Sequence, residues 1–198
     1  FINIDSFAER DYAANPAMVQ NDLDYYMQKG SAPIITEGQK YGYDYYAHVR
    51  KANAWANGSF NFGGFKADLA LEAGYETFWR EGLVRKGLFA GLDDNGKELV
   101  YNGQVLTTYD SDGNAITSKG NSEVSKFFTY SAKLGLQYQF EGGHRVYATG
   151  GYFNDAPTFA QSFISPRTRN SIVPNLTTVK TASADVNYQY SNNGYNFR

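Results

Sequence analysis

Between residues 126 and 140 the chain alternates, interrupted only by Phe127 on the side that is otherwise polar or glycine. Phe128, Tyr130, Ala132, Leu134, Leu136, Tyr138 and Phe140 share one face, against Thr129, Ser131, Lys133, Gly135, Gln137 and Gln139 on the other. Period-two alternation of this kind predicts a β-strand with one apolar side. The same rule holds over 65–75, where Phe65, Ala67, Leu69, Leu71, Ala73 and Tyr75 oppose Lys66, Asp68, Ala70, Glu72 and Gly74. It recurs over 180–190, where Ala182, Ala184, Val186, Tyr188 and Tyr190 oppose Thr181, Ser183, Asp185, Asn187 and Gln189. Segments 45–56 and 145–153, rich in Tyr, Val and Ala, also read as strands, although their faces separate less cleanly. Helical spacing is confined to the start. Asn15 can cap, Pro16 suits a first helical position, Gly30 can terminate, and Met18, Val19, Leu23, Tyr26 and Met27 fall on one side, so a short helix is expected over 16–29.

The lengths are unusual. Globular strands run to about 5–6 residues, whereas 126–140 and 65–80 continue well past that without a proline. From 128 to 140, twelve steps of about 3.3 Å span roughly 40 Å, which a tilt of about 45° projects to roughly 28 Å, the scale of a bilayer core. On this face Phe128, Tyr130, Tyr138 and Phe140 sit at the two ends and smaller or aliphatic residues lie between, as in a lipid-facing band with aromatic girdles. Connections alternate in length as well. A short turn falls within 57–64, which holds Asn57-Gly58 and Gly63-Gly64. A long link at 82–122, a tight Glu141-Gly142-Gly143-His144 turn, a long link at 155–173 and a tight Asn192-Asn193-Gly194 turn follow. Short turns on one side and long loops on the other are the habit of membrane barrels. The expected fold is therefore all-β: an antiparallel transmembrane β-barrel segment of about five or six long strands with short periplasmic turns and long extracellular loops. Its expected divisions are an outer loop with a short helix at 1–42, a hairpin at 43–81, an outer loop at 82–122, a hairpin at 123–154, an outer loop at 155–173 and the start of a hairpin at 174–198. Within 82–122, Asn95-Gly96, Asn102-Gly103 and Asp112-Gly113 are hairpin signals, with a small ribbon expected from 99–101 and 104–109.

Composition fits this picture once the two faces are averaged. The 198 residues carry 18 Lys plus Arg and 20 Asp plus Glu, a net charge of −2, which offers no global positive field for nucleic acid. Mean hydropathy is −0.52, and no apolar run is long enough for a membrane helix; alternating strands average to such a score while still crossing lipid. There is no cysteine, and the two histidines, His48 and His144, stand far apart, so neither a thiolate site nor an ordinary zinc signature is present. The start at Phe1 and the end inside an apparent strand point to a piece of a longer chain.

At this point the motifs resemble a family. Tyr43-Asp44-Tyr45 leading to Arg50-Lys51-Ala52 and Trp55-Ala56, the run Arg80-Glu81-Gly82-Leu83-Val84-Arg85-Lys86-Gly87-Leu88-Phe89, and Phe163-Ile164-Ser165-Pro166-Arg167-Thr168-Arg169-Asn170 resemble the barrel of TonB-dependent outer-membrane receptors of Bacteroidota. Ile4-Asp5-Ser6-Phe7-Ala8-Glu9-Arg10-Asp11 is similar to an extracellular loop of that group. The resemblance implies a 22-stranded barrel in the outer membrane of a Gram-negative bacterium, a plug domain inside the lumen, and energy delivered by an inner-membrane TonB complex. Neither plug nor TonB box is visible in this sequence. Implied partners are the TonB complex, the plug, outer-membrane lipid and lipopolysaccharide, a small-molecule, glycan or peptide substrate, and a surface lipoprotein. A passive porin or adhesion barrel, or a soluble carbohydrate-binding β module, is the competing reading.

Candidate residues follow from the faces. Lys66, Asp68, Glu72, Glu76 and Arg80 form a polar row expected to face the lumen, where it can contact a plug, line a substrate path or simply be hydrated. Arg85, Lys86, Arg167 and Arg169 lie in or beside outer loops, where guanidinium groups can pair with phosphate as well as with loop acids. Tyr41 and Tyr43, with Tyr25, Tyr26, Tyr45 and Tyr46, offer stacking platforms for a sugar or an aromatic siderophore, or serve as interfacial tyrosines. Asp110, Asp112 and Asn114 fail the EF-hand spacing, and a turn explains them and Asp93-Asp94-Asn95 better. No Gly-x-Ser-x-Gly elbow occurs and no His–carboxylate pair is legible, so neither an enzyme nor a cofactor is expected.

Overall fold

A computed structural model of the chain describes residues 15–192 and 195–197. Residues 4–11, which carry part of the family resemblance, and positions 193–194 of the last turn lie outside the described residues. The strands are β1 (Tyr45–Phe62), β2 (Phe65–Gly82), β3 (Val100–Tyr101), β4 (Gln104–Val105), β5 (Gly120–Asn121), β6 (Ser125–Gln139), β7 (His144–Asp155), β8 (Val179–Asn192) and β9 (Tyr195–Phe197). The main sheet is largely antiparallel and open, in the order β1-β2-β6-β7-β8-β9, with β5 paired to the end of β2. The short β3 and β4 make the expected ribbon, closed by Asn102 and Gly103 at φ 48° and 78° as a two-residue hairpin turn requires.

Four of the five long strands outrun their expected bounds, β1 most of all, while β6 keeps its expected length and begins and ends one residue earlier. It continues to Phe62, so Asn57-Gly58 lies inside the strand and the reversal falls at Gly63-Gly64. A local turn preference is outweighed when a ladder partner is available along the whole length. The helix expected over 16–29 is broken. A 3-10 turn covers Pro16–Val19 and an α-helix, α1, covers Leu23–Lys29. The break is fixed from outside. Gln20 O accepts from the Gly87 N–H (2.9 Å), and the Leu23 N–H donates to Arg85 O (2.7 Å). Asp22, not Asn15, is the working cap, accepting from the Tyr25 N–H at 3.0 Å. Gly30 ends α1 as expected, at φ 70° with its N–H on Tyr26 O (2.8 Å).

The chain divides into two compact units, one of residues 15–49, 78–125 and 158–176, the other of 50–77, 126–157 and 177 onward. The first has an ordinary apolar core in which Ala17, Leu23, Ala90, Leu99 and Leu106 are buried and Met18, Tyr26, Met27 and Tyr101 pack around them. The apolar side read on the first helix is thus spent on the long 82–122 connection. A four-residue helix, α2 (Phe159–Ser162), sits in the other long connection and presents Phe159 to Phe78 (6.1 Å) and Tyr45 (6.3 Å).

The second unit has the opposite economy. Residues opposite each other on neighbouring strands share a face, and the register aligns Leu134 with Gly150 and Ala184, Leu136 with Ala148 and Val186, and Tyr138 with Val146 and Tyr188. One apolar surface therefore crosses β6, β7 and β8. It faces outward: Leu134 is 45% exposed and Val186 77% exposed. The reverse face aligns Lys133 with Gly151 and Ser183, Gly135 with Thr149 and Asp185, and Gln137 with Tyr147 and Asn187.

Candidate functional site

The polar row of β2 is held by its neighbour β1. Asp68 Oδ2 lies 2.9 Å from Lys66 Nζ, and Ser59 Oγ donates to Asp68 Oδ1. Asn53 Nδ2 donates to Glu72 Oε1 at 2.7 Å, and Lys51 Nζ lies 3.9 Å from Glu76 Oε2. Lys51, Asn53 and Ser59 were not among the site candidates read from the sequence. With a two-residue turn at 63–64, though, Lys51 must stand opposite Glu76 and Ser59 opposite Asp68. These water-exposed pairs add little stability; the two lysines balance Asp68 and Glu76, while Glu72 keeps its charge against a neutral amide. On the same polar face the second unit carries a concavity of about 550 Å³ lined by Ser59, Asp68, Lys133, Tyr147, Thr149 and Phe153, among others. The Lys133 ammonium sits 5.3 Å from the centre of the Phe153 ring. The arrangement offers hydroxyls, one carboxylate, one ammonium and two rings to a polar ligand or protein surface.

Arg80 does not belong to that row. Alternation extends it there, but the side chain is 1% exposed. Its Nη1 donates to Ser118 O (2.7 Å) and to Asn170 Oδ1, and its Nε donates to Pro166 O (2.6 Å). The guanidinium also lies 4.9 Å from the centre of the Tyr45 ring. One cation thus ties both long connections to the end of β2. Gly82 belongs to the same knot, because a Cβ there would lie 1.8 Å from Ser118 O and 2.5 Å from Arg80 Nη1. Gly82→Ala is expected to lower stability by about 1–3 kcal/mol, read as an earlier unfolding midpoint of Trp79 fluorescence in a Trp55→Phe background; an unchanged midpoint would contradict the close packing.

Two of the outer-loop cations are corrected in the same way. Arg85 is 8% exposed and spends Nη1 on Ala90 O (2.6 Å) and Leu92 O (2.8 Å), while its Nε reaches Asp24 Oδ1 at 2.9 Å. Lys86 Nζ donates to Asn21 Oδ1 at 3.0 Å and to Gly42 O; burial pushes the ammonium below the ordinary lysine value, and the Arg80 charge adds to the shift. Both hold the loop together rather than present charge to a ligand. Arg169 lies over Phe89 at 5.1 Å, and its buried Nε has no hydrogen-bond partner among the described residues. Arg167 is the exposed member, stacked on Tyr43 at 5.3 Å, and Tyr43 leads to Tyr45 at 6.0 Å. Tyr41 is 46% exposed and accepts from Asn21 Nδ2 at 3.1 Å. Tyr41, Tyr43 and Arg167 remain accessible, as do Tyr25 and Tyr46.

The girdle residues meet their neighbours edge to edge or in stacks. Phe128 lies 6.0 Å from Tyr130, Tyr130 lies 6.2 Å from Tyr152, and Tyr138 meets Phe140 at 4.6 Å. Near the other end of the apolar row of β2 the structure adds a His–carboxylate pair that was not read from the sequence: His48 Nε2 lies 2.7 Å from Glu81 Oε2, and the ring stacks on Trp79 at 4.6 Å.

The aspartate turns hold themselves. Asp110 Oδ1 accepts from the N–H groups of Asp112 and Asn114, both at 2.9 Å, and Asp93 Oδ1 accepts from Asn95 (2.9 Å) and Lys97 (2.8 Å). Among the described residues no three His, Cys, Asp or Glu side chains converge as a metal site. The Asn114 and Lys97 amides hold Asp110 and Asp93, respectively, below the usual carboxylate value. A depressed folded value stabilises above the unfolded one and is lost as pH falls through the folded one. The 82–122 loop should therefore become more protease-sensitive as pH drops below about 4, and Asp93→Ala with Asp110→Ala should remove that step. An unaltered step in the double variant would assign it elsewhere.

No family model, curated protein or solved structure matches the chain.

Proposed function

We propose that the chain is part of the wall and outer loops of an outer-membrane active-transport receptor, which takes a scarce nutrient at its long connections and passes it to the periplasm with TonB-transmitted energy. One observation carries the membrane part of this reading: the antiparallel sheet turns its continuous apolar face outward and its polar face to the concave side, the reverse of a water-soluble sheet. The alternation of short and long connections adds to it. The transport part rests on the motif resemblance given above. In this reading the open edges, β1 and β9, pair with further strands of a closed barrel, since unpaired edges are not tolerated in lipid. Tyr41, Tyr43 and Arg167 stand on the capture side, and the concavity around Lys133 and Phe153 lies on the inner wall.

The mechanism asks two separate things of this chain. The loop unit must be ordered before substrate arrives, and its core together with the Arg80 and Arg85 knots serves that. The inner wall must be wet and nearly neutral, so that a polar cargo passes without being trapped, and the paired row Lys66–Asp68, Glu72–Asn53 and Glu76–Lys51 serves that. Uptake of the nutrient by cells is the test. A receptor loses uptake on deletion and also when a protonophore collapses the energy supply, whereas a passive porin is insensitive to the protonophore. A chain that is monodisperse in buffer without detergent would favour a soluble carbohydrate-binding module and end the membrane reading.

A further inference from the structure

On the apolar face of the second unit, positive charge is confined to one end. From the long-connection end, that face of β6 begins with Lys126 before Phe128 and Tyr130, and that of β8 begins with Lys180 before Ala182 and Ala184. The register sets Tyr130 opposite Asn154 and Asn154 opposite Lys180. Lys180 therefore shares a row with Tyr130, and Lys126 stands two face positions farther toward the long connection. Phe128 lies between these two rows, Tyr130 shares the row of Lys180, and Tyr152, in ring contact with Tyr130, stands one row deeper. At the short-turn end the same face of β6, β7 and β8 carries aromatic and aliphatic residues and His144, with no Lys, Arg, Asp or Glu.

Both lysines are exposed, and among the described residues neither has a hydrogen-bond or ion-pair partner. That sets them apart from the polar-face cations, since Lys51 and Lys66 meet carboxylates and Lys133 meets a ring. No acid stands on the apolar face of these three strands to neutralise them. A lysine level with an aromatic girdle, as Lys180 is, or beyond it, as Lys126 is, lays its stem along apolar surface and reaches its ammonium to headgroup depth. An uncompensated cation at that depth is complementary to phosphate.

We propose that Lys126 and Lys180 bind the headgroup phosphates of anionic lipid in the leaflet at the long-connection end of the strands. This rests on the membrane-spanning reading and adds to it a preferred lipid and a preferred leaflet. Polarity at the two ends is unequal, so the sheet is oriented by charge as well as by loop length.

The test uses the whole protein in detergent, titrated with phosphatidylglycerol or with zwitterionic phosphatidylcholine, with bound lipid counted by native mass spectrometry. Phosphatidylglycerol should bind more tightly. Lys126→Gln and Lys180→Gln should each weaken it by about fivefold, the double variant by more, and phosphatidylcholine binding should not change. Raising the salt to about 0.5 M should remove most of the preference, and Lys29→Gln, at the exposed end of α1, should leave it intact. A double variant that holds phosphatidylglycerol as tightly as the parent overturns the proposal. If the protein inserts into vesicles of phosphatidylcholine yet shows no preference for the anionic lipid, this proposal alone fails. If it inserts into vesicles of neither lipid, the membrane reading fails and takes the proposal with it.

Discussion

Replacing Arg80 with Met should release both long connections while leaving the long strands in place. The guanidinium serves the main-chain oxygens of Ser118 and Pro166 and the side-chain oxygen of Asn170. A methionine of similar length fills the space but leaves those acceptors buried and unpaired, at about 1–3 kcal/mol for each. Because they share one site the losses do not add fully, and a net cost of about 3–5 kcal/mol is expected. Arg80→Lys should recover only part of it, since a single ammonium cannot reproduce the planar fork that reaches Pro166 and Ser118 from different nitrogens. Limited proteolysis reads the result: in Arg80→Met, cleavage should appear first within 82–122 and 155–173, with β6 to β8 protected. Loops as resistant as those of the parent would show that Arg80 does not hold them.

Leu134→Arg or Leu136→Arg should block membrane insertion of the protein. Both side chains lie mid-strand on the outward face, at 45% and 37% exposure, and an arginine at the lipid midplane costs about 2–4 kcal/mol. Gln137→Arg, one residue on but on the face shared with Tyr147 and Asn187, should insert normally. The contrast matters more than either result alone, because all three changes add one charge to the same strand. Equal insertion of the three would assign β6 no lipid face. Equal failure would mean that the strand tolerates no added charge, whichever way it points.

The strands were legible because period-two alternation is a local signal, carried within each segment whatever it pairs with. Their order also follows from short turns joining neighbours, as at Gly63-Gly64 and 141–143. Arg80 was misplaced for the same reason that the rest succeeded. Alternation continues through it, but the environment of the row changes along the strand. The warning was Phe78, a fully buried aromatic at a position where the row is otherwise polar or small, which packs against Phe159. Arg85 and Lys86 had no such warning. Their partners Asp24, Asn21 and Gly42 are 44 to 65 positions away, and nothing in the local sequence distinguishes a buried loop arginine from one that presents charge. The broken helix shows the same limit: its cap was sought at Asn15, but contacts from Arg85 and Gly87 decide where it starts. His48, Glu81 and Trp79 were in principle readable once the turn is placed at 63–64, because that turn brings His48 opposite Trp79.

The outward apolar face is the premise on which the membrane and lipid readings rest, and the chain suits a direct test because it contains no cysteine. Single cysteines at positions 131 to 138, each carrying a nitroxide and reconstituted in lipid, report collision with oxygen, which concentrates in the bilayer, and with a water-soluble nickel chelate. The expected result is strict alternation: 132, 134, 136 and 138 open to oxygen and shielded from nickel, 131, 133, 135 and 137 the reverse. Even positions as open to nickel as odd ones would contradict the lipid-facing assignment.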